Sequence, residues 1–232
     1  MNNDIPVVDE PLFFLDYDGT LAPIVDDPAA AYPHEAVPDL LNDLEEQYPV
    51  WIVTGRHLRD LPKFLDIALP AIGLHGAQEG VIGQRIDHLL SDEAEQALDR
   101  FRQTVPDIEG LSVEDKEKSF AVHYRSVSDP QQAKERLAEW IDDLPGVIEP
   151  VWGKKVLELR AKGLNKGTAV RRVSAEYPDH TPVYIGDDVT DEDAFEALYD
   201  NGVTVKVGNG ESSARYHLEA PKDVVAYLRQ YV

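Results

Sequence analysis

Two aspartates separated by one residue, Asp16 and Asp18, follow a short apolar run and precede a glycine. The run, residues 12–15, has the composition of a strand that is buried on both faces. A carboxylate at the end of such a strand can attack phosphorus and form an aspartyl phosphate. Asp18 lies on the same side after the turn, where it can protonate the departing oxygen and then activate water. We therefore interpret Asp16 as a nucleophile and Asp18 as an acid/base whose carboxyl group should be buried among other carboxylates.

Two further motifs have groups that can hold phosphoryl oxygens. Thr54-Gly55-Arg56 follows the apolar run 50–53 and offers a hydroxyl and a backbone N–H, although a helix cap is an equally good reading of Thr54. Lys166 stands behind Asn165, a candidate cap, at the start of a predicted helix. A cation at that position opposes the helix dipole, so it needs an anionic partner such as a phosphoryl group or a catalytic carboxylate. The alternative for Lys166 is an ordinary surface lysine.

Five acidic residues crowd positions 187–193, directly after the apolar run 183–185. Such carboxylates repel one another unless a cation lies between them, and Mg²⁺ prefers one or two carboxylates with water and phosphate. We expect Asp187 and Asp16 to be direct ligands with the backbone carbonyl of Asp18, and Asp188 and Asp191 to support them from outside. Residues 190–193 also resemble a helix start, so part of the cluster is structural. A calcium loop is excluded because its glycine at position six and glutamate at position twelve are missing.

These motifs must be positioned by a common scaffold, and the apolar runs indicate which one. Short continuous apolar runs alternate with helical stretches, which is typical of a parallel sheet with helices on both faces. In such a sheet the site lies at the carboxyl ends of the strands, where the polar residues fall. The sequence therefore predicts a doubly wound α/β core. The predicted strands are 12–15, 50–53, 71–74, 183–185 and 203–205, and the predicted helices are 37–46, 58–65, 166–177 and 191–198.

The middle of the chain has a different pattern. Residues 119–125 and 156–160 alternate apolar and polar side chains, which is typical of antiparallel strands with one solvated face. The stretches 91–104 and 129–144 have helical character, and the second opens with Asp129 as cap and Pro130 at its first position. We predict an α+β domain at 82–162, inserted into a core formed by 1–81 and 163–232.

The composition limits the class of protein. The chain has 232 residues, no cysteine, and no apolar run of the roughly 20 residues needed to span a membrane. Its first four residues lack the basic start of a signal peptide, so we expect a cytoplasmic protein.

The charge is strongly acidic. Forty-four acidic residues against 22 basic ones give a net charge of −22, which disfavours nucleic acid and anionic membranes as partners. We interpret the acidity as adaptation to a saline cytosol, with an unusually solvated surface as the alternative.

The four motifs, in this order and at strand ends or helix starts, resemble those of the haloacid dehalogenase superfamily of phosphotransferases. The resemblance implies that Asp16 is the nucleophile and Asp18 the acid/base. Thr54 and Lys166 would bind phosphate, and Asp187 would complete the Mg²⁺ site. The insert would be the cap that closes over the substrate.

A closer resemblance is to the trehalose-6-phosphate phosphatases. It rests on the stretches 15–24, 75–77 and 186–195, and on Val113-Glu114-Asp115-Lys116 continuing to Val122-His123-Tyr124-Arg125. It implies trehalose 6-phosphate as substrate and a substrate contact from Gly55, Arg56 and His75. The residues implied to hold the disaccharide are Glu114, Lys116, Arg125, Lys154 and Glu158, with Lys154 preferred to Lys155 because strand alternation puts it on the Glu158 face.

Several alternatives stay open at this point. The substrate could be another sugar phosphate, such as sucrose 6-phosphate or mannosyl-3-phosphoglycerate, because the core motifs touch only phosphate and metal. A phosphomutase and an inactive sugar-phosphate-binding module are less favoured. The cap residues could be surface ion pairs, which contribute about 0–1 kcal/mol. A trehalose-6-phosphate synthase is a plausible pathway partner that no residue indicates.

Overall fold

The computed structural model describes residues 4–25, 27–116 and 119–232, and these form two compact units. The smaller unit runs from Leu90 to Leu164, and the larger unit contains the chain on either side of it. No helix in the described ranges is long and apolar enough to cross a membrane.

An eight-stranded sheet forms the centre of the larger unit, with the order β12-β11-β10-β1-β2-β3-β4-β5. The six strands from β12 to β3 are parallel, whereas β4 and β5 add an antiparallel hairpin at one edge. Strand β1, at the middle of the sheet, is buried along its whole length, as its continuous apolar run predicts. The strands are β1 (Pro11–Asp16), β2 (Val50–Val53), β3 (Pro70–Gly73), β4 (Gln78–Val81), β5 (Ile86–His88), β10 (Thr181–Gly186), β11 (Val203–Val207) and β12 (Tyr216–Leu218).

Helices cover both faces of this sheet. Phe13 and Leu15 of β1 belong to the apolar core shared with α1 (Val37–Glu45) and α6 (Pro221–Leu228). Leu12 and Phe14 point to the opposite face and pack in the core that contains α4 (Lys166–Ser174) and α5 (Val189–Leu198). The doubly wound α/β core is therefore confirmed.

The smaller unit is a four-stranded antiparallel sheet with two helices, α2 (Asp92–Gln103) and α3 (Pro130–Trp140). Its order is β6-β7-β9-β8, with β6 (Ser112–Asp115), β7 (Ser119–His123), β8 (Ile148–Gly153) and β9 (Val156–Ala161). Phe120, Val122, Leu157 and Leu159 pack against both helices, so one sheet face forms the core. Asp129 caps α3 as expected, accepting hydrogen bonds from the N–H groups of the first turn.

Some elements differ from the sequence expectation. The predicted helix at 58–65 is a 3₁₀ helix, Leu58–Lys63, because Pro62 lies inside it and cannot donate a helical hydrogen bond. Strand β5 pairs with β4 of the larger sheet, so the smaller unit begins at Leu90 rather than at the expected residue 82. It ends at Leu164 rather than at 162.

The acidic charge leads to a prediction about stability. A net charge of −22 raises the free energy of the compact state through self-repulsion, and salt screens that repulsion. Raising KCl from about 0.1 M to about 1 M shortens the Debye length from about 10 Å to about 3 Å, so we expect a clear rise in Tm at neutral pH by calorimetry. Near the sequence pI of about 4.5 the same salt step should change Tm little. An equal rise at both pH values would show that charge repulsion is not the cause.

Candidate active site

Polar residues lie together at the carboxyl ends of the parallel strands in the larger sheet. Asp16 is the last residue of β1, Thr54 follows β2, His75 follows β3, and Asp187 follows β10. The register pairs Asp16 with Val53 and Gly186 with Lys206, so these ends are level across the sheet. The parallel topology thus brings together four segments that are far apart in sequence.

Lys166 connects the first and last motifs. Its ammonium group donates to Asp16 Oδ1 and Asp191 Oδ1, each at 2.7 Å, and its side chain is only 2% exposed. Burial alone would lower the pKa of Lys166, but the charges of Asp16 and Asp191 outweigh it and raise that pKa. Asn165 caps the helix as expected, in a capping box with Thr168. The anionic partners that a lysine at a helix start requires are therefore two carboxylates.

Asp191 is the structural centre of the acidic cluster. Its Oδ1 accepts hydrogen bonds from Lys166 and from the Tyr184 hydroxyl at 2.6 Å, and its Oδ2 accepts from the backbone N–H groups of Asp187 and Asp188. Burial, with the neighbouring Asp191, raises the pKa of Tyr184 well above its ordinary value, so that hydroxyl stays a donor. Both oxygens of Asp191 are committed to the protein, which fits the supporting role predicted for it.

Asp188 is more exposed than Asp187 and Asp191. It is exposed and forms the N-cap of α5, where its carboxylate accepts from the N–H of Val189 at 2.7 Å. Its hydrogen bond therefore stabilises the start of the helix, while its charge adds to burial and to Asp191 in raising the pKa of Asp187.

Glycine 19 explains how the first and last motifs approach each other. It has a φ of +78°, and a Cβ built on it would lie 2.0 Å from Asp187 Oδ2. Any side chain at this position would displace the Asp187 carboxylate and strain the backbone. The glycine after Asp18 is thus required both by the turn and by Asp187.

Asp18 departs from the expectation that it is buried among carboxylates. Its side chain is 41% exposed, and its partner is a cation, because Arg56 donates to both of its oxygens at 2.6 and 2.7 Å. The guanidinium also donates to the carbonyl of Pro28 and lies 4.4 Å from the centre of the Phe64 ring. Arg56, which the resemblance assigned to the substrate, also holds the residue that is predicted to act as acid/base.

The Thr54 loop and the His75 loop contact each other. Thr54 is fully buried, and its hydroxyl accepts from the N–H of Arg56 at 3.0 Å, which stabilises its own turn rather than capping a helix. The N–H of His75 donates to the carbonyl of Thr54, and a Cβ on Gly55 would lie 2.5 Å from the His75 ring. Gly55 therefore permits the close approach of His75.

Lys206 is a site residue that the sequence reasoning missed. It lies in β11, is 7% exposed, and donates from Nζ to the backbone oxygen of Asp187. Its charge lowers the pKa of Asp187, against larger effects that raise it. A lysine within the apolar run Val203–Val207 was the available signal, since buried lysines are rare without a partner.

The predicted sugar contacts lie in the smaller unit. Glu114 on β6 and Glu158 on β9 stand on the sheet face opposite the helices, and Lys116 Nζ donates to Glu158 Oε2 at 3.0 Å. Arg125 is an exposed residue of the loop after β7. Lys154 occupies the turn between β8 and β9, so the strand alternation used to prefer it over Lys155 does not extend to it.

Comparison with known proteins identifies the family. The trehalose-phosphatase family model matches residues 14–222. The chain belongs to the trehalose-phosphatase family. It is 37% identical to a trehalose-6-phosphate phosphatase-related protein of Thermoplasma acidophilum, over 89% of this chain and 90% of that protein. It is 34% identical to the trehalose-phosphate phosphatase of Mycobacterium marinum, covering 95% of this chain and 61% of that protein.

The solved structures agree with this assignment. The trehalose-6-phosphate phosphatase of Aspergillus fumigatus matches with a TM-score of 0.77 at 30% identity, over 95% of this chain and 92% of that one. The fold is shared with a haloacid dehalogenase-like hydrolase of B. subtilis, which matches with a TM-score of 0.67 at 15% identity over 95% of this chain and 99% of that one. As a member of the trehalose-phosphatase family, the chain is a phosphatase, that is, a phosphoric monoester hydrolase.

The carboxylates of this trehalose-phosphatase family member fit a divalent cation. Oxygen atoms of Asp16, Asp187 and Asp191 all lie within 4.8 Å of one another. Since Asp191 is committed to the protein, Asp16 and Asp187 are the carboxylates available to an ion. Burial raises the pKa of Asp16 well above its ordinary value despite Lys166, and burial with Asp191 and Asp188 raises the pKa of Asp187 to about 6. Both shifts show that burial disfavours the ionised carboxylates, and a bound cation would favour them.

A pH-dependent effect of metal follows from Asp187. Its pKa in the folded protein, about 6, is above the unfolded value of about 3.9. Neutral Asp187 therefore contributes stability that is fully present below about pH 4 and is lost as pH rises through about 6. A cation that binds the ionised carboxylate restores this loss, so the rise in Tm caused by a fixed concentration of Mg²⁺ should grow from about pH 5 to about pH 7.5.

The matched control is Asp187→Asn, measured by the same thermal scans. That variant should show a smaller Mg²⁺-dependent rise in Tm and little growth of it across this pH window. If the wild-type rise were the same at both ends of the window, the assignment of Asp187 as a ligand would be wrong.

Proposed function

We propose that this chain hydrolyses trehalose 6-phosphate to trehalose and phosphate, through an aspartyl phosphate formed on Asp16. The observation that carries the proposal is the buried Asp16 carboxylate at the end of β1, held by Lys166 beside Asp187. The names of its relatives, trehalose-phosphate phosphatases, support the choice of substrate.

The proposed reaction uses the residues in the following roles. Asp16 attacks phosphorus, the bond from phosphorus to the sugar oxygen breaks, and Asp18 gives that oxygen its proton. Asp18 then takes a proton from water, which attacks the aspartyl phosphate and releases inorganic phosphate. Lys166 and the Thr54 turn stabilise the negative charge on the phosphoryl oxygens. The hydrogen bond from Lys166 also fixes the rotamer of Asp16. For proton transfer, Asp18 must exchange one of its Arg56 hydrogen bonds for the sugar oxygen.

The cation is proposed to be Mg²⁺, because the available donors are two carboxylates and a carbonyl, all hard oxygen ligands. Asp16 and Asp187 would hold it with the backbone carbonyl of Asp18. When bound, Mg²⁺ would neutralise charge on the phosphoryl group as a Lewis acid.

The smaller unit is proposed to recognise the sugar. Glu114, Lys116 and Glu158 offer acceptors and donors for hydroxyl groups on one exposed sheet face. Arg125 and Lys154 are proposed contacts on the same basis of resemblance, and both are exposed. A cytoplasmic location is a further proposal, supported by a chain without cysteine.

The test is phosphate release from a panel of substrates, with Mg²⁺ or EDTA, at low and molar salt. The panel contains trehalose 6-phosphate, sucrose 6-phosphate, glucose 6-phosphate, mannosyl-3-phosphoglycerate and p-nitrophenyl phosphate. We expect Mg²⁺-dependent turnover with a strong preference for trehalose 6-phosphate. Preference for another sugar phosphate would overturn the substrate while keeping the mechanism, and absence of turnover at any salt would favour a binding module.

A further inference from the structure

Two carboxylates lie in one row across the sheet of the smaller unit. Glu114 on β6 is opposite Ala121 on β7, and Ala121 is in turn opposite Glu158 on β9. Ala121 is fully buried although it belongs to the face that the helices do not cover. Because the Ala121 side chain is small, the Glu114 and Glu158 carboxylates can occupy the space above it. The row therefore presents two acceptors on neighbouring positions of one face.

Each of these carboxylates is bonded to a side chain of β7. His123 Nε2 lies 2.8 Å from Glu114 Oε2, and Ser119 Oγ donates to Glu158 Oε1 at 2.8 Å. Ser119, Ala121 and His123 are spaced by two residues, so all three side chains stand on the same face. The other oxygen of Glu158 accepts from Lys116 at 3.0 Å. Strand β7 thus holds a carboxylate on each side of Ala121.

The contribution of such contacts to the stability of the fold is small. The Glu114 side chain is 54% exposed and that of His123 is 39% exposed, and exposed pairs of this kind stabilise a protein little. Their effect on a ligand is different, because a glutamate that is already fixed loses less rotamer freedom when it accepts from a hydroxyl group. The geometry is that of a preorganised acceptor pair rather than of a stabilising ion pair.

We propose that His123 and Ser119 are positioning residues for sugar recognition, which fix Glu114 and Glu158 for the hydroxyl groups of the substrate. The inference rests on the proposed function of the smaller unit as the sugar-binding part. It adds two residues that touch the glutamates, and it assigns them no contact with the phosphoryl group. Loss of either residue should raise KM for a disaccharide phosphate and leave kcat near its original value.

The experiment measures kcat and KM of the full-length protein for trehalose 6-phosphate and for p-nitrophenyl phosphate, which has no sugar. His123→Ala and Ser119→Ala should each raise KM for trehalose 6-phosphate about three- to ten-fold, the range expected for one immobilised side chain. The kcat and KM values for p-nitrophenyl phosphate should stay within about two-fold of those of the wild type. His123→Gln and Ser119→Thr keep a donor and should recover most of the loss.

Glu135→Gln is the control. Glu135 is an exposed residue of α3 that accepts from Gln131 at 3.0 Å, and α3 packs on the other face of the sheet, so its loss should leave both KM values near wild type. An unchanged KM in His123→Ala and Ser119→Ala, or an equal loss with both substrates, would overturn the positioning role. A wild-type protein that does not hydrolyse trehalose 6-phosphate, but does hydrolyse p-nitrophenyl phosphate, would refute the substrate and with it this inference.

Discussion

Asp16→Asn is expected to reduce turnover by a factor on the order of 10³ or more while the protein stays folded. The amide has no nucleophilic oxygen of comparable strength, so the aspartyl phosphate does not form. The fold should persist because the substituted side chain has the same shape and because burial already makes the charge of Asp16 unfavourable, as its raised pKa shows. Lys166 retains its second carboxylate, Asp191.

The measurement combines steady-state phosphate release with circular dichroism and a thermal scan of the same samples. Asp43→Asn is the control, since Asp43 is an exposed residue of α1 and its loss should change neither rate nor Tm appreciably. A second readout is acid-quenched protein after incubation with substrate, where wild type should carry transient phosphate and Asp16→Asn none. Appreciable residual activity in Asp16→Asn, with its fold intact, would refute the nucleophile assignment.

The central part of this fold was predictable from the sequence because burial on both faces leaves a strong signal. Leu12 to Leu15 form a continuous apolar run, which is typical of a strand between two helical layers. Strands β7 and β9 of the smaller unit were predictable from their alternating apolar and polar side chains, whereas three other antiparallel strands were not. Strand β8 contains Pro150, and β4 and β5 contain charged and glycine residues, so neither apolar periodicity nor β propensity marks them.

The candidate site also has a part that was predictable from the sequence and a part that was not. Residues at strand ends, such as Asp16 and Asp187, follow from topology, because parallel strands end at a common edge. Which side chains pair with each other depends on packing details that cannot be inferred from the spacing of residues in the sequence. The Arg56 guanidinium that holds Asp18 lies over the rings of Phe64 and Tyr17, which are not its neighbours in the sequence. Lys206 contacts Asp187 from a strand in which valine predominates. Lys166 at the start of α4 was the exception, since the helix dipole favoured an anionic partner for it.

Lys166→Met is expected to lower both activity and stability, and the stability loss is the more informative result. Lys166 is the common partner of Asp16 and Asp191, and all three side chains are at most 5% exposed. Its removal leaves two buried carboxylates side by side without a cation, and breaking a buried pair in this way costs about 3–5 kcal/mol. For a domain of this size the corresponding fall in Tm is roughly 6–20 °C in metal-free buffer. Lys222→Met, in an exposed position of α6, should change Tm by no more than about 2 °C.

The double variant Asp16→Asn/Lys166→Met separates charge from packing. If the loss in Lys166→Met comes from the two adjacent carboxylates, neutralising one of them should recover part of it, so that the double variant melts above Lys166→Met. If the loss comes from the missing lysine stem, the two substitutions should add and the double variant should melt no higher. Mg²⁺ gives an independent check, because an ion held by Asp16 and Asp187 supplies the missing charge and should raise Tm more in Lys166→Met than in wild type. Additive stabilities together with an unchanged Mg²⁺ effect would show that Lys166 serves the packing of α4 rather than the charge balance of the site.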